Sequence, residues 1–161
     1  MSNSVPPRDA RLLFWFGVAA VVGIGLFGFL AWRSVTVEEV QPGDALRRFA
    51  EIRDRLPQAA PVLHVDANGL VTRRVPADGK TQRATRLHVL AYVMSVRRLV
   101  RADAPFWFLK MKGPGVQYAF RGTGFDLDRL GLTPDDLERY GVCLILDEIR
   151  TNGDRLLVWT E

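Results

Sequence analysis

The sequence predicts an α+β protein in which one N-terminal transmembrane helix precedes a small antiparallel-sheet domain with two short helices. Three observations lead to this fold class. An uninterrupted apolar run extends from Leu12 to Trp32. After Ser34, short runs of apolar and β-branched residues alternate with hairpin-type turns, and two proline-led segments begin like helices. Strands that follow one another through hairpins form antiparallel sheets, on which short helices pack.

The apolar run Leu12–Trp32 contains no charged side chain, and as a helix it would be roughly 31 Å long, which matches the hydrocarbon core of a bilayer. Trp15 and Trp32 lie near its ends, as expected at membrane interfaces. The run is longer than the apolar part of a cleaved signal peptide. We therefore predict a tail at 1–11, a retained transmembrane helix at 12–33, a linker at 34–41 and an extramembrane domain at 42–161.

One face of the predicted helix carries mostly small residues. Their spacing of three or four places them on one stripe, which would let a second transmembrane helix approach closely. The predicted helix-packing interface consists of Gly17, Ala20, Ile24, Gly28 and Ala31. The alternative is that glycine and alanine are simply common in such helices.

The charges next to the run predict its orientation. Arg8 and Arg11 precede it, whereas Arg33 alone follows closely. The positive-inside rule then puts the N-terminus in the cytoplasm and the domain on the periplasmic side of a bacterial inner membrane, with a cytoplasmic domain as the alternative. The expected partners are the bilayer itself and other integral membrane proteins.

The first part of the domain combines a helix and a hairpin. Pro42 opens a predicted helix that reaches about Leu56, because apolar residues recur there at helical spacing. Val62–Asp66 and Leu70–Val75 are predicted strands, joined through a turn that contains Asn68-Gly69.

The second part adds two further strand pairs. Arg86–Met94 and Leu99–Asp103 form one predicted pair. Val142–Ile149 and Arg155–Glu161 form the other, on either side of Asn152-Gly153.

Two segments between these pairs are informative. Thr133-Pro134-Asp135-Asp136 combines a capping hydroxyl, an early proline and acidic residues, so a short helix is predicted there, ended by Gly141. The aromatic run Phe106–Leu109 is predicted as a strand buried on both faces. The alternative is a surface that contacts a membrane or a protein partner.

The net charge of +4 is unevenly distributed. Basic residues dominate 71–101 and acidic residues dominate 126–148. Such a division suits docking to charged headgroups or to a partner with a complementary field, and the alternative is two ordinary solvated faces. The candidate contacts for a partner or a membrane surface are Arg73, Arg74, Arg97, Arg98, Arg101, Phe106 and Trp107.

No pattern of residues predicts catalysis. Gly79-Lys80-Thr81 ends like a phosphate-binding loop, but the glycine five positions earlier is missing. His64 and Asp66 share a strand face, yet with His88 as the only other histidine they do not make a metal-ligand pattern. Cys143 lies in an apolar run, which would bury an inert thiol. We therefore predict no catalytic residue, cofactor, metal or nucleic-acid partner.

Four segments carry a resemblance to a known group of proteins. These are Leu87–Ala91, Pro105–Trp107, Leu132–Leu137 and Val158–Glu161. Together they resemble segments of small, uncharacterised bacterial membrane-anchored proteins. The resemblance implies no activity, cofactor or functional residue.

The sequence therefore favours a non-enzymatic accessory or scaffolding subunit of a larger bacterial membrane complex, such as a respiratory or photosynthetic assembly. One alternative is an envelope binding module in which a groove on the sheet recognises a peptide, a lipid or a glycan. The other is an enzyme with an unrecognised site around His64, Asp66 and His88.

Overall fold

The computed structural model describes Trp15, Val18 and residues 35–56, 60–66, 70–74, 82–111, 120 and 122–161. The chain divides into two compact units, Met1–Arg33 and Ser34–Glu161. In the first unit, Trp15 and Val18 are helical and exposed. The second unit is built on one seven-stranded sheet.

The second unit mixes seven strands with a few short helices. In chain order these are β1 (Val35–Glu39), α1 (Pro42–Arg55), β2 (Leu63–Val65), β3 (Val71–Arg73), β4 (Arg86–Val93), a 3-10 turn (Met94–Val96), β5 (Arg98–Pro105), α2 (Phe106–Leu109), α3 (Pro134–Tyr140), β6 (Leu144–Ile149) and β7 (Arg155–Thr160). The strand order is β1-β5-β4-β7-β6-β2-β3. β1 and β3 are therefore the two edges of the sheet.

The structure contradicts the predicted transmembrane helix at 12–33. Among the residues that the structure describes, no helix is both long and apolar enough to cross a membrane. The longest helix with described bounds, α1, has 14 residues, which is about 21 Å against the ~30 Å of a bilayer core. Of the predicted span, Trp15 and Val18 are described. The stripe Gly17, Ala20, Ile24, Gly28 and Ala31 lies outside the described residues.

The predicted sheet is also wrong in one respect, because the observed sheet is mixed. β2 pairs with β6 in parallel, through Leu63 and Leu146, while every other described strand pair is antiparallel. Hairpin signals report only strands that are neighbours in sequence. They could not show that the β2–β3 hairpin adds to β6, some eighty residues further along the chain.

α1 covers one face of the sheet, which we call the α1 face. Pro42 occupies the first turn, Asp44 lies near the positive end of the helix dipole, and Arg53 and Arg55 lie in the last turn. Ala45 and Phe49 are buried against the sheet. The core on this face consists of Ala45, Phe49, Leu90, Tyr92, Leu99, Leu144, Leu157 and Trp159. The predicted helix is thus confirmed with nearly its expected bounds.

The aromatic run Phe106–Leu109 forms the helical turn α2, so the predicted strand is wrong here. Phe106, Phe108 and Leu109 are buried, whereas Trp107 is 57% exposed. In one turn of helix, residues three apart such as Phe106 and Leu109 share a face, whereas a strand buries alternate side chains unless both of its faces are covered. The run therefore supplies core residues and one exposed indole.

Candidate functional site

The longer of the two edge strands of the sheet is β1. β1 pairs antiparallel with β5, with Val37 opposite Val100, and it is the last strand on its side of the sheet. Thr36, Val37, Glu38 and Glu39 are all exposed. Among the described residues, no strand pairs with the outer side of β1.

The hydrogen-bond pattern shows which backbone groups of β1 face outward. The N–H of Val40 donates to the carbonyl of Arg97 at 3.0 Å, so Val40 directs its backbone groups toward β5. Successive residues of an antiparallel strand alternate in this direction. Thr36 and Glu38 therefore also face β5. Val35, Val37 and Glu39 direct their N–H and C=O groups away from the sheet, at its free edge.

The side chains of β1 alternate between the two faces. Glu38 lies opposite Leu99, which belongs to the core under α1, so Glu38 is on the α1 face. Arg48 of α1 donates to both of its carboxylate oxygens, at 2.5 and 3.2 Å. These hydrogen bonds and the Arg48 charge lower the pKa of Glu38. Val37, on the opposite face, is 56% exposed.

β1 lacks two of the residues that often protect a sheet edge, proline and lysine, although it carries Glu38 and Glu39. Natural edge strands are often very short or carry proline or lysine, which disfavour pairing with another chain. β1 has five residues and neither proline nor lysine. β3, the other edge, has three residues and is followed by the exposed Arg74. β1 is therefore the edge better suited to accept another strand.

A cleft of about 320 Å³ lies beside β1 on the α1 face. Ile52, Leu90 and Leu99 contribute apolar surface to it. Its charged and polar lining consists of Thr36, Glu38, Arg48, Glu51, Arg55 and Arg101. The cleft can thus accept side chains of mixed character from a segment that runs along the edge.

A buried histidine lies next to this cleft. His88 on β4 is 7% exposed, and its Nδ1 lies 2.5 Å from Oδ1 of Asp103 on β5. Its ring stacks on Trp159 with the centroids 5.0 Å apart. Arg101, which also lines the cleft, lies over the same indole and 3.5 Å from Asp103. The cluster joins three neighbouring strands of the sheet.

The charge of Asp103 determines which ring nitrogen of His88 donates to it. Burial tends to raise the pKa of Asp103, but the hydrogen bond and charge of His88, together with Arg101, hold that pKa below its usual value. A carboxylate only accepts hydrogen bonds, so Nδ1 of His88 carries the proton. Nε2 is buried and has no hydrogen-bond partner in the described part of the chain, and it lies 3.6 Å from Oε2 of Glu161. This geometry holds the ring between strands and gives it no open access to a ligand.

The alternative site around His64, Asp66 and His88 is not assembled. His64 lies on β2, which is three strands from β4 in the sheet. At ~4.8 Å per strand these two strands are about 14 Å apart. His88 instead pairs with Asp103. No group of three His, Cys, Asp or Glu side chains that could hold a metal occurs among the described residues.

The predicted contact residues do not form one surface. Arg73 and Arg74 lie at the β3 edge, where Arg73 donates to the carbonyl of Gly131 at 2.6 Å. Arg97 and Arg98 lie at the β4–β5 turn, and Arg101 lies beside the cleft. β3 and β5 are five strands apart in the sheet. Phe106 is core and Trp107 is surface, as described above.

β1 lies within the predicted linker at 34–41, so this edge of the sheet was not predicted. Its alternating Val35-Thr36-Val37 could have indicated a strand. Comparison with protein-family models, with curated proteins and with solved structures finds no match. The resemblance to small bacterial membrane-anchored proteins stays a prediction.

Proposed function

We propose that this protein is a non-enzymatic interaction domain that binds an extended segment of another polypeptide along the free edge of β1, as an accessory subunit of a larger protein assembly. The observation that supports this most directly is the edge itself. Val35, Val37 and Glu39 direct N–H and C=O groups outward from the exposed edge strand β1, and no strand in the described part of the chain pairs with them. Adding a strand to such an edge is a general mode of peptide recognition.

The side chains of β1 favour one kind of partner strand. On the α1 face, Thr36 and Glu38 would lie beside the incoming strand, so polar or basic residues suit that side. On the other face, the exposed Val37 favours an apolar or β-branched neighbour. An amphipathic strand that alternates polar and apolar residues therefore fits this edge.

The cleft beside β1 gives such a strand a second set of contacts. Its apolar surface includes Ile52 and Leu99, and its rim includes Arg55 and Arg101. Long side chains on the α1 face of the added strand can reach this cleft. Backbone pairing would then supply affinity, and the cleft would supply specificity.

The test is Val37→Pro in the full chain. The N–H of Val37 points away from β5, so proline removes an outward donor while the β1–β5 hydrogen bonds remain. Val37→Thr is the matched control, because threonine keeps the N–H and the β-branched shape. The tagged protein and both variants are purified from the cells that make it, and the co-purifying proteins are compared by mass spectrometry.

We expect specific proteins to co-purify with the unchanged chain and with Val37→Thr, and to be absent with Val37→Pro. Amide hydrogen exchange gives a second measurement. In the dilute, monomeric chain, Thr36 and Glu38 should be protected and Val37 should exchange quickly, whereas the bound chain should protect all three. Equal recovery of the same proteins with Val37→Pro would refute the proposed function.

A further inference from the structure

We infer that β1 also pairs with the β1 strand of a second copy of this chain, in a two-fold symmetric dimer whose two sheets join edge to edge. The inference rests on the proposed function, because it uses the same edge, and it names one partner for that edge. The inference is based on the amino-acid sequence of β1 and on its hydrogen-bond pattern.

The backbone pattern selects one register for this pairing. In a two-fold antiparallel pair, opposing residues are symmetric about a central residue. With Val37 at the centre, Val37 faces its counterpart and Val35 faces Glu39. All three residues with outward N–H and C=O groups then oppose one another, and each opposing pair can exchange two hydrogen bonds. A centre at Thr36 or at Glu38 leaves one of these residues without an opposing partner in β1.

The side chains are compatible with the same register. With Val37 at the centre, the two exposed Val37 side chains pack on one another, and Thr36 faces Glu38 on the α1 face. No two like charges are directly opposed in this arrangement. A centre at Glu38 would oppose two carboxylates, which destabilises an antiparallel pair. The sequence Val35–Glu39 is therefore self-complementary in the register that also pairs the most backbone groups.

The size of the contact sets the expected strength. Five paired residues span about 17 Å, and such a contact buries much less than the ~1,600 Å² of a standard protein interface. The dimer should therefore dissociate on dilution, at roughly micromolar concentration. Because this dimer is weak, a partner strand that contacts both β1 and the cleft can displace the second copy from the edge.

The test is a charge exchange at the two-fold axis, measured by sedimentation velocity of the full chain over a range of concentrations. The unchanged chain should form a concentration-dependent dimer. Val37→Lys and Val37→Glu should each be monomeric, because each would oppose two like charges at the axis, and their equimolar mixture should recover the dimer. Val37→Thr is the control that should dimerise like the unchanged chain.

The register has its own test. In the inferred pair the two Val37 Cα atoms are about 5.5 Å apart, which is within the range that a disulfide can bridge. Val37→Cys should therefore cross-link two chains under mild oxidation. Thr36→Cys should not, because Thr36 faces Glu38. The natural Cys143 is buried and should not contribute. Cross-linking of Thr36→Cys as efficient as that of Val37→Cys would exclude this register.

The outcomes separate the two proposals. A chain that is monomeric at all concentrations, or a Val37→Lys variant that dimerises like the unchanged chain, would overturn the second-copy inference. If Val37→Pro still abolishes the co-purification of other proteins in that case, the proposed function stands. If Val37→Pro changes neither the co-purifying proteins nor the dimer, both proposals fail.

Discussion

His88 and Asp103 form a hydrogen bond of 2.5 Å between neighbouring strands, beneath the indole of Trp159 and beside Arg101. Burial tends to raise the pKa of Asp103, but the hydrogen bond and charge of His88, together with Arg101, keep that pKa below its usual value. A carboxyl whose pKa is lower in the folded than in the unfolded state stabilises the fold most when it is ionised in both. The contribution is therefore present above the ordinary value of 3.8 and is lost as the pH falls through the lower folded-state value.

The first prediction is a pH dependence that Asp103→Asn should remove. Asparagine keeps an acceptor for Nδ1 but cannot ionise. As the pH falls below the ordinary value of 3.8, the free energy of unfolding of the unchanged chain should decrease more steeply than that of the variant. Urea unfolding at a series of pH values measures both curves. Parallel curves would show that Asp103 does not stabilise the fold through its charge.

The second prediction concerns the hydroxyl of Thr160, a residue that is fully buried. It donates to the carbonyl of Gly141 at 2.5 Å and accepts from the N–H of Cys143 at 3.1 Å. Thr160→Val leaves both backbone groups without this partner, so the free energy of unfolding should fall by about 1–3 kcal/mol. Thr160→Ser keeps the hydroxyl and serves as the control in chemical denaturation. A loss as large with serine as with valine would assign the effect to packing instead.

The third prediction concerns Arg97, whose φ of 52° is in the left-handed region. A side chain raises the free energy of this conformation, whereas glycine adopts it freely. Arg97→Gly should therefore increase the free energy of unfolding by about 0.5–1 kcal/mol, after the greater freedom of glycine in the unfolded chain is included. Arg97→Ala is the control: alanine also carries a Cβ atom, so this variant should not increase the free energy of unfolding in the same way. Thermal unfolding of the three proteins decides between these outcomes.

The fourth prediction concerns the start of α3. Thr133 accepts a hydrogen bond from the N–H of Asp136, and Asp136 accepts one in return from the N–H of Thr133, both at 3.1 Å. Hydrogen bonds from the side chain and backbone of Thr133 lower the pKa of Asp136. Thr133→Ala should lower the free energy of unfolding by about 1 kcal/mol. Thr133→Ser should retain most of the stability that Thr133→Ala loses. Similar losses in both variants would contradict a capping role.

The local parts of the fold could be predicted from the sequence. The start of α3 follows from Thr133 and Pro134, and the β6–β7 hairpin follows from Asn152-Gly153. In each case the residues that determine the structure are close in sequence. Capping and turn preferences act over such short distances, which is why their patterns are visible without the fold.

The parts that were wrong depend on distant residues. β1 becomes a strand because β5, more than sixty residues later, supplies its hydrogen bonds. Without that partner, Val35–Glu39 cannot be distinguished from an extended linker. The parallel contact between Leu63 and Leu146 is equally distant. The candidate edge was missed for the same reason, since an edge is defined only once the order of strands is known.

The positions of the basic candidate contact residues also depend on the order of the strands. Arg73 and Arg101 belong to the same basic stretch of the sequence, 71–101, but lie near opposite edges of the sheet. Arg101 also lies next to Asp103, which is close enough to pair with it. A count of charges along the chain contains neither the strand order nor these pairings, so it could not predict which arginines share a surface.

The buried state of Cys143 provides a way to observe unfolding of the domain. Burial raises the pKa of this thiol, the single cysteine of the chain, and Thr160 lies against it. The reactive thiolate is therefore scarce in the folded chain and becomes available when β6 and β7 separate. The rate at which a dilute alkylating reagent modifies Cys143 should thus report the opening of the sheet, without any added label.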